Sequence, residues 1–439
     1  MRGVNLLVFA AVVAQLHGAQ VLFEGARVIV DARKAPIEDG AFLVDSGRIV
    51  KVGKRGEVRA GAGVVKVDLT GKTVMPALID PHVHLGYQKD GSYAAENFTR
   101  ENVIDQLNRY AYAGVTTVMS LGTDITGVEL QVRGEGKTAT RLFTAGRGFA
   151  APNAGPGTPA MRGSSVGVTN EAEARQGVRD QLAKHVDIIK IWVDDRNGTV
   201  KKLDPALYRA IIDEAHKHGA RVIAHVYYLD DAKDLVRAGV DGFAHLVRDR
   251  ELDDETVALI KQRRVFIMPN MGLAETRTTA QAPAWLDDPL YKAVTPVAVI
   301  DRVRASYATR TPQATEAAQK TYRIMEHNLA KLNAAGALIG FGADSGAAPD
   351  YFHAFTTHRE LELMVHAGMT PAQALTSVTV NSAAFLKLAD HGTLEAGKSA
   401  DFVVLDANPL ESVSNTRKIN RVYLRGQELG RAALVQGWK

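Results

Sequence analysis

His82 and His84 close the apolar run MPALIDPHVH. Alternate residues of an extended chain face the same way, so both imidazoles share one face. His225 ends RVIAH, His245 ends DGFAH, and Asp344 follows ALIGFGA, each after a short apolar run. Any one such histidine is ordinarily a surface or packing residue. Four histidines and an aspartate, all at the ends of strand-like runs, form a metal constellation instead. Neutral imidazole and carboxylate suit Zn²⁺, or another divalent transition ion, better than Ca²⁺. Lys190 is flanked by Ile188, Ile189, Ile191 and Trp192. Taken alone it reads as a lysine snorkelling from a strand end or pairing with Asp194 or Asp195. Desolvated among those neighbours, it would have a lowered pKa and a nucleophilic amine. Such an amine can take up CO₂ as a carbamate, an anionic ligand able to bridge two cations.

These groups need a scaffold that gathers strand ends. TTVMSLG, RLFTAG, DIIKIWV, RVIAHV, GFAHL, RVFIMPN and ALIGFGAD are strand-like, and stretches such as EAEARQGVRDQLAKH and DPALYRAIIDEAHKHG between them are helical. Strand and helix alternating over about 300 residues predict a parallel sheet, and the length suits an α/β (β/α)₈ barrel, whose catalytic groups sit at the C-terminal strand ends. The 271–334 stretch exceeds one barrel unit and reads as helical insertions able to cover the site mouth. From Gln20 to about Thr73, and again in ADFVVLDANP and INRVYLRGQEL, short β-rich runs alternate with turn residues. One small β-domain from 20–75 and 392–439, around a hydrolase domain over 76–391, is the expected division.

The chain has 439 residues, beyond the roughly 250 to 300 at which one core stops growing. With 53 basic and 49 acidic residues, its net charge of +4 is small and not gathered into one block, so no nucleic-acid partner and no anionic membrane are expected. It contains no cysteine, which excludes disulfides, thiolate metal sites and cysteine nucleophiles. At the N-terminus, Arg2 precedes an apolar run from Val4 to Val13, too short for a stable membrane anchor. Its order is that of a secretory signal over 1–19, cleaved after Ala14 or Ala19, against a buried N-terminal strand or helix. A periplasmic or secreted protein is expected, otherwise a cytoplasmic one.

The chain resembles the amidohydrolase superfamily from Gln20 onward. The resemblance rests on PHVH, IKIW, the histidines of IAHV and FAHL, GADSG, HRELELMVHAGMTPAQALTSVTVNSAAFL and the closing GTLEAGKSADFVVLD. It is most similar to the imidazolonepropionase-like and prolidase-like branch, with Xaa-Pro, Xaa-Arg and Xaa-Lys dipeptidases and ochratoxin-hydrolysing enzymes. That likeness implies a distorted (β/α)₈ TIM barrel with a small β-sandwich built from both chain ends. It also implies two divalent metals, with zinc expected. His82, His84 and Asp344 would hold one, His225 and His245 the other, and N6-carboxylated Lys190 would bridge them. Two cations about 3.5 to 4 Å apart can share a hydroxide that exists near pH 7, and Asp344 would act as general base and acid. Tyr227 stands where similar dipeptidases carry a substrate-contacting tyrosine, with Tyr228 its competitor, although a packing role suits either.

The implied reaction is hydrolysis of an amide C–N bond in a small molecule, a dipeptide or N-acyl amino acid, by a homo-oligomeric enzyme. Cyclic amides, lactones and phosphotriesters are alternative electrophiles for such a centre, and a silent binding scaffold is the alternative of another class. One departure stands out. The Lys190 strand continues as WVDDRNG, where many of the dipeptidases carry a small, Gly-rich continuation. Asp194, Asp195 and Arg196 therefore read as a solvated charged loop or as recognition of a charged substrate end. The GRGFAAPNAGPGTP loop could line the pocket, and His353 and His358 read as residues behind the ligands or on a helix surface.

Overall fold

A computed structural model describes residues 20–436 and Trp438. The signal peptide expected over 1–19 lies outside the described residues. Strands from both ends of the chain join in one eight-stranded sheet. Val21–Val28 runs antiparallel to Ile37–Asp45, and Phe402–Leu405 runs antiparallel to Thr73–Pro76. Alternation puts Phe23, Phe42, Phe402 and Tyr423 into one buried cluster. Phe23 stacks on Phe42 at 4.8 Å, Phe402 stacks on Tyr423 at 4.5 Å, and the two pairs meet edge to face. Aromatic pairs of this kind contribute about 0.5 to 1.5 kcal/mol beyond their area. They hold the two chain ends together across more than 300 intervening residues.

The strands that carry the chemistry are parallel. Leu78–Val83 pairs with Val115–Ser120, which pairs with Arg141–Thr144. Ile189–Val193, Val222–Val226, Gly242–Ala244 and Phe266–Met268 are successive neighbours in a second sheet. Single bridges from Ile339 to Ile267 and from Ser345 to Val83 join the two sheets on one side. On the other side the Asp187 amide donates to the Thr144 carbonyl at 2.9 Å. The ensemble is an α/β architecture in which parallel strands turn through an arc around the site.

Helices between these strands begin where the sequence supplies caps. Asn170, Asp204 and Asp253 each accept a first-turn amide, and Pro205 at the first helical position needs no partner for its nitrogen. Losing one such cap costs about 1 kcal/mol. Leu207, Ile211 and Ala215 then recur on one buried face of Pro205–Lys217. The 271–334 stretch is helical in pieces, including Met271–Glu275, Val297–Ala308 and Pro312–Ala334. Arg302 ties it to the Gly91 and Pro349 carbonyls, the latter in the loop that follows Asp344.

One expected strand differs. ALIGFGAD and the Ser345 that follows it make only two single bridges, at Ile339 and at Ser345. Side chains take its ladder bonds: Asn270 Nδ2 donates to the Gly342 carbonyl at 2.7 Å, and Asp80 Oδ1 accepts from the Ala343 amide at 3.2 Å. With its backbone groups satisfied in this way, the segment needs no neighbouring strand there.

Candidate metal centre

His82, His84 and Asp344 converge at the C-terminal end of the parallel strands, all buried. His82 Nε2 lies 3.3 Å and His84 Nε2 3.0 Å from the same oxygen, Asp344 Oδ1. Ligands bound at about 2.0 to 2.1 Å to one tetrahedral zinc ion stand roughly 3.3 Å apart, so these donors fit a divalent ion in type and in spacing. Burial would raise the Asp344 carboxyl, but the neighbouring His82 and His84 hold it at about 2. His82 is pushed well below its ordinary value, mainly by burial. The site therefore offers a carboxylate and a neutral imidazole, the forms that bind metals.

The outer nitrogens fix the inner ones. His82 Nδ1 lies 3.0 Å from Asn270 Oδ1, and His84 Nδ1 lies 2.9 Å from Thr123 Oγ1. The orientation of the Asn270 amide is determined, because its nitrogen must donate to the Gly342 carbonyl and its oxygen accepts from the His245 amide at 2.9 Å. Only an acceptor then faces His82 Nδ1, which must carry the ring proton, leaving the Nε2 lone pair towards Asp344. Asp80 fastens the two ligand segments from behind, accepting from the His82 and Ala343 amides and from Thr357 Oγ1.

His225 and His245 stand alongside. Their rings lie 4.4 Å apart, and the His245 ring lies 5.3 Å from that of His82. His225 Nε2 is 3.2 Å from Asp194 Oδ2. Burial raises Asp194, but the bond to His225 outweighs it and holds the carboxyl well below the usual range. An ionised carboxylate only accepts, so Nε2 carries the proton and Nδ1 is the nitrogen left for a metal. His245, Asn270 and Asp344 have φ of 78°, 51° and 57°. Left-handed backbone at three non-glycine residues is costly and gathers at functional sites.

Lys190 lies on the same strand as Trp192 and is 1% exposed, and its Nζ has no hydrogen-bond partner. Burial lowers its pKa to about 7. Two glycines make its space. A Cβ on Gly122, whose φ is +90°, would stand 2.6 Å from Lys190 Cγ, and one on Gly148 would collide with the Trp192 ring. Pairing of Lys190 with Asp194 or Asp195 is not found, because Asp194 turns to His225 and Asp195 accepts from Tyr228 Oη at 2.7 Å.

The model of the amidohydrolase family matches residues 73–429. The chain belongs to the amidohydrolase family. An uncharacterized protein of Mycobacterium tuberculosis is 28% identical over 218 residues, 48% of this chain, and the match spans 53% of that relative's length. The imidazolonepropionase of Deinococcus radiodurans is 26% identical over 432 residues, covering 90% of this chain and 92% of its own. A Bifidobacterium longum structure provisionally assigned as a prolidase superposes with a TM-score of 0.76 at 26% identity, over 96% of this chain and 99% of its own. These relatives accord with the imidazolonepropionase-like and prolidase-like branch.

In this family member other expected residues sort differently. Tyr227 is half-buried, its ring 4.8 Å from that of Tyr228. The Tyr228 hydroxyl is committed to Asp195, and Lys202 Nζ lies 4.3 Å over its ring, so Tyr228 belongs to the charged loop. That loop is not simply solvated, since Asp194 is largely buried against His225, while Arg196 Nη2 reaches the Asn153 carbonyl. His353 and His358 are fully buried, not on a helix surface. His358 ties its helix to the Ala113 carbonyl and Thr416, and His353 faces Tyr110. Thr123, Asn270, Asp80 and Arg248 are the neighbours of the site that sequence reasoning missed.

Proposed function

We propose that this protein is a metal-dependent hydrolase of an amide C–N bond, built on a distorted (β/α)₈ barrel. Two divalent ions, zinc by donor chemistry, would be held by His82, His84 and Asp344 and by His225 and His245, with carboxylated Lys190 between them. Bound there, the ions would polarise the scissile carbonyl and make an attacking water acidic enough to act near neutral pH. The observation that carries this reading is Lys190: a buried amine without a partner, in a space two glycines keep open, next to a histidine–aspartate cluster. A buried ammonium is unfavourable, whereas the neutral amine can add to CO₂ and lose a proton to give a carbamate whose two oxygens are anionic donors.

The residues of the chain have distinct tasks. Asn270, Thr123 and Asp194 hold three imidazoles with one nitrogen directed inward. Asp344, ionised at neutral pH, accepts the proton of the attacking water and passes it to the leaving amine. Burial of the site keeps that proton from bulk water. The substrate class favoured is a dipeptide or N-acyl amino acid.

Metal content by elemental analysis, on protein purified without chelator, tests the reading first. Two metals per chain, with turnover on a panel of dipeptides, N-acyl amino acids and cyclic amides, are expected. No metal after Zn²⁺ and bicarbonate are supplied would overturn it.

A further inference from the structure

Arg248 lies three residues beyond His245, in the loop that follows the Gly242–Ala244 strand. Its backbone amide donates to the Tyr227 carbonyl at 2.9 Å, and its guanidinium lies 4.9 Å over the Tyr227 ring. Stacking of this kind fixes the plane of the guanidinium. The group offers five donors. Nη2 makes two long contacts, 3.3 Å to the Val226 carbonyl and 3.4 Å to His225 Nε2. The second is not a hydrogen bond, because His225 Nε2 carries a proton directed at Asp194. Nε is buried and has no partner.

Among the described residues, Arg248 forms no salt bridge. Arg133, by contrast, pairs with Asp187, and Arg175 and Arg179 pair with Glu214. A half-buried cation whose Nε is orphaned is destabilising, and an anion arriving from outside would relieve that cost. The anion has a defined place. Arg248 Nη2 stands 3.4 Å from His225 Nε2, so the guanidinium borders the ligand cluster. A planar fork beside the reacting centre matches a carboxylate, which it can bind through two parallel N–H···O bonds.

We propose that Arg248, held by Tyr227, receives the carboxylate end of the substrate and restricts the enzyme to acyl amino acids or dipeptides with a free carboxylate. This rests on the amide-hydrolase reading above and adds to it the group that selects the substrate. Tyr227 is then a positioning residue, acting through the orientation of the guanidinium.

The test separates the two readings. Binding of N-acetyl amino acids with apolar, acidic and basic side chains is measured by calorimetry, against the matching N-acetyl amino-acid amides. Protein purified without chelator is used, as wild type, Arg248→Met and Arg248→Lys. Wild type is expected to bind at least one acid about 10- to 100-fold more tightly than its amide, the worth of a charge-assisted hydrogen bond. Arg248→Met should bind the two alike, and Arg248→Lys should keep part of the preference. A wild type without acid preference overturns the proposal, as does an Arg248→Met or Arg248→Lys protein with the full wild-type preference. Turnover of the same compounds reads the other question. Acid preference without turnover would sink the hydrolase reading alone, and equal turnover of acids and amides would sink the Arg248 assignment alone.

Discussion

Asn270 Oδ1 accepts from His82 Nδ1 at 3.0 Å, and this one contact decides which nitrogen of His82 is free. The carboxamide cannot be reversed, since its nitrogen serves the Gly342 carbonyl and its oxygen also serves the His245 amide. A single side chain thus binds three segments, those bearing His82, His245 and Asp344, and sets the tautomer of a candidate ligand. Its own backbone, at φ 51°, bends the chain from the Phe266–Met268 strand into the Met271–Glu275 helix.

Asn270→Ala should therefore weaken metal binding more than it weakens the fold. Removing a partner of this kind lowers metal affinity about 10- to 100-fold. Competition with a chromophoric chelator reads the affinity, and urea unfolding of metal-free protein reads the fold. Wild-type affinity in the variant would mean that His82 is oriented by its strand alone.

Lys190→Ala is expected to bind much less metal and to lose activity, with partial rescue by short carboxylates that can enter the vacated space. The metal-free variant should nonetheless be at least as stable as metal-free wild type, because it buries no unpaired amine. Elemental analysis and thermal unfolding of the two proteins give both numbers. Full metal occupancy in Lys190→Ala would eliminate the bridging role.

His82, His84, His225, His245 and Asp344 were legible because each ends an apolar run, and strand ends gather on one face of a parallel sheet. Lys190 was legible from its four apolar neighbours. The residues that orient these groups were not. Asp194 meets His225 only because Trp192 pairs with His225 in the sheet register, and no local pattern encodes that register. Asn270 reaches His82 across 188 residues and adopts a backbone conformation that its neighbours in sequence do not announce. The helix-surface alternative for His353 and His358 fails because the helix on or beside which they lie is buried almost all round. Solvent exposure of a helical face depends on what packs over it, here Ala113 and Thr416, which are far apart in the sequence.

Asp344→Asn isolates proton transfer from metal binding. The amide keeps an oxygen where Oδ1 stood, but it cannot take up a proton at neutral pH. Activity should fall by about 10² to 10⁴ even where metal remains, the usual worth of such a step. Steady-state rates and metal content on the same preparation check it. More than about a tenth of wild-type activity would remove Asp344 from that role.

Glu360 predicts how stability varies with pH. Its carboxylate accepts from the Met271 and Gly272 amides, capping the helix that Asn270 begins. Burial nevertheless raises its pKa to about 8, the two backbone bonds offsetting only part of the effect. In the unfolded chain a glutamate titrates near ~4.3. The folded state thus holds a proton that the unfolded state releases between those values. The stability linked to Glu360 is full below the unfolded pKa and is lost as pH rises through about 8. Within that window the slope is at most ~1.4 kcal/mol per pH unit. Glu360→Gln carries no such proton, so urea unfolding at pH 5 and pH 8 should show wild type losing stability relative to the variant. Parallel pH profiles for the two proteins would mean that Glu360 is already ionised in the fold, held by its two amide donors.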